Sequence, residues 1–134
     1  MTDTLATHFP VSVKGVVRHE GLFVLLRNER DEWELPGGKL EAGEAIDDCL
    51  IREVKEELNL RTGIVRPLNN WVYFVNGIHV VIITYELDIL VKSPRLEVSH
   101  ENKELRLFPP QEIGKLRMPH GYQRSIEMCA DASR

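Results

Sequence analysis

Three glutamates fall within five positions: Glu53, Glu56 and Glu57, in the stretch REVKEELN that runs from Arg52 to Asn59. On a helix, spacings of three and four point all three carboxylates the same way. Like charges so placed destabilise an isolated helix by about 0.2–0.5 kcal/mol per pair. A hard cation gives that arrangement a purpose. Magnesium takes oxygen ligands, keeps several waters, and is held by a few carboxylates together with substrate phosphates. Such a cluster also leaves a carboxylate free to take a proton from water. Just upstream, Gly37 and Gly38 have no Cβ, so their backbone can approach a ligand closely and offer carbonyl oxygens to a cation. By the same reasoning, Glu57→Gln should relieve repulsion, and the metal-free protein is expected to melt no lower than wild type.

Presenting this face requires a helix, and the sequence predicts one over Glu44–Leu58. Leu50, Ile51, Val54 and Leu58 form an apolar stripe. A second line, Ala45, Ile46 and Cys49, continues into the glutamates, which predicts a helix covered on two sides in its first half. Before it, DEWELPGGKLEAGE reads as loop, punctuated by Pro36, Gly37, Gly38 and Gly43. Earlier, VSVKGVVRHEGLFVLLRN reads as a hairpin turning at HEG. Downstream, RTGIVRPLNNWVYFVNGIHVVIITYELDILV reads as two or more strands with a turn at NG. KELRLF is a further strand, PPQEIGKL a short helix opened by proline, and HGYQRSIEMCADA a last helix with Tyr122, Ile126 and Cys129 toward the core. Strands and helices in this order predict an α/β layered domain with a mixed sheet.

A chain of 134 residues with 43% hydrophobic content suits one domain, residues 1–134. The formal net charge of -4 provides no basic field to attract nucleic acid. An acidic chain still binds a phosphorylated ligand when a metal carries the positive charge. Two cysteines, Cys49 and Cys129, make no disulfide framework and are expected as buried packing residues in a reducing compartment. The N-terminus MTDTLATHFP lacks the basic and apolar regions of a signal peptide. The most apolar run is broken by Glu86 and Asp88, which argues against a membrane span. The expectation is a cytoplasmic monomer or homodimer.

GKLEAGEAIDDCLIREVKEELNL, from Gly38 to Leu60, resembles the Nudix box: G, five residues, E, seven residues, then R-E-U-x-E-E-x-G-U with U apolar. Gly38, Glu44, Arg52, Glu53, Val54, Glu56, Glu57 and Leu60 match in register. The family's final glycine is Asn59 here, a residue that tolerates the left-handed conformation a helix end often needs. WELPGG and ENKELRLFPPQEI resemble the flanking segments of the family, so the likeness extends thinly over most of the chain. The resemblance implies a Nudix-like α/β/α sandwich with a mixed β-sheet and a hydrolase for a nucleoside diphosphate linked to another group. It implies magnesium or manganese as cofactor, with Glu56 and Glu57 as main ligands and Glu53 as ligand or general base. Arg52 then orients Glu53, Glu44 supports Arg52, and a carbonyl of Gly37 or Gly38 completes the metal's shell.

The resemblance also implies an acidic residue before the late strand, which makes Glu101 the first candidate and Glu104 the second, with Glu97 inactive. Arg27, Glu34 and Tyr73 are candidate substrate contacts. For Arg27 and Tyr73 there is an ordinary alternative: an exposed strand-end arginine, and a core aromatic like Trp71 and Phe74. The five histidines show no metal spacing. Subfamily markers for ADP-ribose, dinucleoside polyphosphates, coenzyme A and NADH are absent downstream of the box. The substrate expectation is therefore a nucleoside triphosphate, oxidised or non-standard ones included. ADP-ribose or a nucleotide sugar comes next, and a non-catalytic nucleotide-sensing or protein-binding module is the reading of another class.

Overall fold

The computed structural model describes residues 5–98 and 103–132. The elements run β1 (Val11–His19), β2 (Leu22–Arg27), β3 (Trp33–Glu34), β4 (Gly37–Lys39), α1 (Ile46–Leu58), β5 (Thr62–Val75), β6 (Ile78–Ile89), β7 (Glu104–Phe108), a 3-10 helix (Pro110–Lys115) and α2 (His120–Ala132). The β1–β2 and β5–β6 hairpins turn on Glu20-Gly21 and Asn76-Gly77, four residues that all have positive φ. Such pairs give the primed turns whose twist matches the flanking strands.

The strands form one mixed seven-stranded sheet in the order β3-β2-β1-β6-β5, with β4 paired to β1 and β7 to β2. Only β1 and β6 are parallel among these pairings. Both faces are covered. Val13, Val17, Val24, Leu26 and Leu87 pack with Cys49, Leu50, Val54 and Leu58 of α1. Val16, Phe23, Leu25, Val80 and Ile82 pack with Tyr122, Ile126 and Cys129 of α2. The central strands therefore read as nearly continuous apolar runs, as strands buried on two faces do. Thr84 and Ser125, both fully buried, share a 2.8 Å hydrogen bond that ties β6 to α2.

Four expectations change. The WELPGGK loop contains β3 and β4, too short for periodicity to reveal. The first helix begins at Ile46, so Glu44 precedes it and is free to bend back. That helix is buried along one side, by Cys49, Leu50, Val54, Glu57 and Leu58, while Ala45 is exposed and Ile51 half-buried. The PPQEIGKL segment is helical but of the tighter 3-10 kind.

Candidate active site

The exposed end of the glutamate face is organised by Arg52. Its guanidinium forks onto Glu44 at 2.6 and 3.0 Å, and donates to Glu53 at 3.0 Å and to Glu56 at 3.2 Å. These bonds, with the main-chain N–H of Glu41, hold the Glu44 carboxyl at about 2 against an ordinary 4.5. The same contacts hold the Arg52 guanidinium above its usual range. Glu44 can reach Arg52 because it lies before the first helical turn. Arg52 is fixed by a planar fork, which a lysine could not reproduce.

At the other end the charges are buried. Glu57 is only 5% exposed; one oxygen accepts the Gly37 N–H at 3.1 Å and the other the Lys103 ammonium at 2.9 Å. The ammonium also meets Glu34 at 2.8 Å, and Asn28 donates to the second Glu34 oxygen at 3.1 Å. Burial pushes the Glu34 carboxyl up, but the charge of Lys14 and the bonds from Lys103 and Asn28 outweigh it and the net shift is down. Burial likewise pushes the Lys103 ammonium down, and its bonds and charge interactions with Glu34 and Glu57 more than reverse this. Gly37 makes the approach possible. Its φ is 141°, and a Cβ there would run into the Val13 carbonyl.

Beside Glu34 lies a cavity of about 270 Å³. It sits on the α2 side of the sheet, with Lys14, Arg30 and Lys39 as cations and Tyr73, Ile82 and Tyr122 among its walls. A second, more apolar hollow of about 420 Å³ lies along β5 around Trp71, Gly121 and Arg124, and Tyr73 borders both.

Of the residues singled out in the sequence, Arg52, Glu44, Glu53 and Glu56 come together, and so do Glu57, Gly37 and Glu34. Glu34 and Tyr73 line the cavity. Arg27 does not; it pairs with Asp31 at 3.0 Å and with Glu104 at 3.9 Å. Glu104 faces arginines rather than the α1 carboxylates, with Arg106 at 2.7 Å. Glu97 is exposed. Glu101 lies outside the described residues. Trp71 and Tyr73 pack at the edge of the core, whereas Phe74 points the other way, 61% exposed and against His79. Cys49 and Cys129 are buried, and burial pushes both thiols up to about 11, which suits packing and not reactivity.

Sequence reasoning missed Lys14, Asn28, Arg30 and Lys103. For Lys14 a signal existed: it is the one charge in VSVKGVV, a run otherwise suited to burial on both faces. Lys103, in HENKEL, carries no such mark and reads as a solvated loop charge.

The donor set suits a hard divalent ion: carboxylates of Glu53, Glu56 and Glu57, with glycine carbonyls nearby. A Cβ on Gly38 would collide with the Glu53 carboxylate, so backbone and carboxylate meet there only because the residue is glycine. Among the described residues, no three His, Cys, Asp or Glu side chains are already gathered as a metal centre. Arg52 draws Glu53 and Glu56 to itself, while Lys103 holds Glu57.

Residues 8–129 match the family profile of the NUDIX domain. An ADP-ribose pyrophosphatase of Methanocaldococcus jannaschii is 25% identical over 126 residues, covering 87% of this chain and 71% of that protein. The low-salt glycan biosynthesis protein Agl8 of Haloferax volcanii is 33% identical over 116 residues, covering 78% of this chain and 73% of that protein. Among solved structures, the MutT protein of Methanosarcina mazei Go1 superposes with a TM-score of 0.78 at 23% identity, covering 98% and 99% of the two chains. The profile match and the α/β/α layering around a mixed sheet agree with the glutamate face and the glycine turn, and the chain belongs to the NUDIX family as a diphosphohydrolase of the Nudix type.

Proposed function

We propose that the chain hydrolyses a diphosphate linkage of a nucleoside triphosphate, oxidised or non-standard ones included, with magnesium or manganese as cofactor. Glu56 and Glu57 are the main metal ligands, with Glu53 and the carbonyl of Gly37 or Gly38 beside them. A bound divalent ion supplies neutralisation of phosphate charge and a lowered proton affinity of bound water. The chain's own residues do the positioning on which phosphoryl transfer chiefly depends. Arg52 sets the direction of Glu53, and Glu44 braces Arg52. Glu53, or Glu101 from the segment before β7, takes the proton from the attacking water.

The observation that carries the substrate reading is the cavity beside Glu34. Its volume, about 270 Å³, falls at the small end for ligand sites, which typically start near about 300 Å³. A single nucleoside suits it better than a ligand with two. Its lining carries three cations, Lys14, Arg30 and Lys39, against two carboxylates, Glu29 and Glu34, which suits phosphate, and Tyr73 offers a ring to a base. The molecule as a whole is acidic, so this local charge favours a small phosphorylated ligand over nucleic acid.

ADP-ribose or a nucleotide sugar is the second reading. It is favoured by the archaeal relative named an ADP-ribose pyrophosphatase and by the hollow along β5, which Tyr73 joins to the first cavity. The test is a panel of nucleoside triphosphates, ADP-ribose and nucleotide sugars, with magnesium, with manganese, and with chelator. Triphosphates turned over fastest support the first reading. A preference for ADP-ribose or sugar nucleotides selects the second. Binding without turnover in any metal leaves a nucleotide-sensing module.

A further inference from the structure

The Lys103 ammonium stands between two carboxylates that are themselves nearly sealed from water, 2.9 Å from Glu57 and 2.8 Å from Glu34. The remaining oxygens of that pair are engaged too, by the Gly37 N–H and by Asn28. Buried carboxylates are costly without partners, and in the metal-free chain the Lys103 ammonium is the cation that bridges the two, with the Lys14 charge acting on Glu34 as well. We propose that Lys103 is a tethered counter-cation, which holds Glu57 and Glu34 in place without metal and gives way when a divalent ion takes Glu57.

The geometry decides which donor yields. Each Glu57 oxygen accepts one hydrogen bond and keeps a further lone pair, but a divalent ion on this carboxylate repels the ammonium 2.9 Å away, whereas the neutral Gly37 N–H meets no such repulsion. The Gly37 N–H belongs to β4, which is paired to β1 through Gly37, Gly38 and Lys39. Lys103 reaches in from just before β7 on a flexible four-carbon stem, as a compact point charge with rotatable donors. The lysine is the donor that can leave. It also keeps a second partner, since Glu34 remains to hold the displaced ammonium. Lys103 is thus a positioning residue that acts through Glu57, and it sets how readily the metal binds.

This inference rests on the reading of Glu57 as a metal ligand, and the experiment separates the two. Manganese binding is measured on the full chain without nucleotide, from the free-ion paramagnetic resonance signal, alongside melting in chelator. Lys103→Met keeps the apolar stem and removes the charge. Lys103→Gln is a polar second variant, and Lys103→Arg restores a cation. Lys103→Met is expected to bind manganese about tenfold tighter while melting several degrees lower without metal, with Lys103→Gln shifted in the same directions. Lys103→Arg is expected near wild type in both. A merely structural lysine gives the opposite pattern, in which loss of stability accompanies weaker binding. Unchanged or weaker manganese binding in both charge-removing variants overturns the proposal. Glu57→Gln is the control. If it loses binding while the lysine variants bind like wild type, only the role of Lys103 falls. If it binds manganese like wild type, the assignment of Glu57 falls and the proposal falls with it.

Discussion

The two ends of the glutamate face solve the same problem in different ways. At the Arg52 end a planar guanidinium is shared among Glu44, Glu53 and Glu56, and the group is open to solvent on one side. At the Lys103 end a point charge is shared between Glu34 and Glu57, and both carboxylates are buried. Water screens the first cluster, so loss of one contact there is tolerated. In the second, each carboxylate depends on a small number of donors, because an unpaired charge in the interior costs far more than one at the surface. Arg52 gathers partly exposed carboxylates by direction, whereas Lys103 neutralises buried ones by charge.

The sharpest way to break the buried end is Glu57→Gln. Turnover is expected to fall at least a hundredfold, about 2.7 kcal/mol in the barrier, measured as metal-dependent product release. From the sequence alone this change is expected to leave metal-free melting unchanged or slightly raised, and the Lys103 contact to Glu57 changes that expectation. Glutamine still accepts from the Gly37 N–H, but its amide now confronts the Lys103 ammonium, which loses one of its two carboxylate partners and keeps Glu34. The metal-free protein is expected to lose about 1–3 kcal/mol, read by chemical denaturation in chelator. Retention of most activity removes Glu57 from the site.

Gly38→Ala probes the seam between the two ends. The new Cβ would meet the Glu53 carboxylate, the mobile end of a side chain and not a piece of backbone. The fold can accommodate it by moving that carboxylate, so stability is expected to change little. The rate is expected to fall about tenfold, about 1.4 kcal/mol in the barrier. A variant that unfolds instead, seen as a large drop in melting temperature, means that Gly38 serves the turn and not the carboxylate.

At the Arg52 end the expected effect is one of pH. The Glu44 carboxyl is held at about 2 against an ordinary 4.5, so its folded value is depressed. A depressed acid stabilises the fold fully above its unfolded value, and that stability is lost as pH falls from about 4.5 through about 2. Glu44→Gln is expected to remove that part of the acid sensitivity and leave the rest, checked by melting curves across this window. An unchanged slope places the Glu44–Arg52 pair among surface contacts that contribute nothing measurable.

The comparison also explains what the sequence could carry. The Arg52 end was legible because all of its members lie within residues 44–56, where helical spacing fixes their direction. The layered fold was legible for a similar reason: runs such as LFVLL and VVIIT, and the NG turn, each announce themselves locally. The Lys103 end was not. It joins β3, the start of β4, the end of α1 and the residue before β7, with Lys103 and Glu34 separated by 69 in sequence. Only the sheet order brings these together, and a lysine among glutamates gives no local sign of burial. The strands β3 and β4 escaped because two or three residues are too few to show a period.

The smallest expected effect is at Asn59, which ends α1 two residues beyond Glu57. Its φ of 51° and ψ of 40° are left-handed, the conformation that lets the chain leave the helix and bury Leu60. Glycine enters that region without strain, and asparagine does so better than most residues. The Asn59 side chain adds one exposed hydrogen bond, accepted from the Lys55 ammonium at 3.0 Å. Asn59→Gly removes that bond and relaxes the backbone preference, two small terms of opposite sign. Its rate is expected within about twofold of wild type, about 0.4 kcal/mol, and its stability nearly unchanged. Asn59→Val is the contrast. A β-branched residue resists positive φ, at a cost of about 1–2 kcal/mol, and the strain falls on the turn of helix that carries Glu57. If the cap serves the buried end, the valine variant loses stability and metal-dependent rate together. If it loses stability alone, Glu57 is held by Gly37 and Lys103 independently of how the helix ends. A glycine variant with a large rate change and unaltered melting would give Asn59 itself a part in the chemistry.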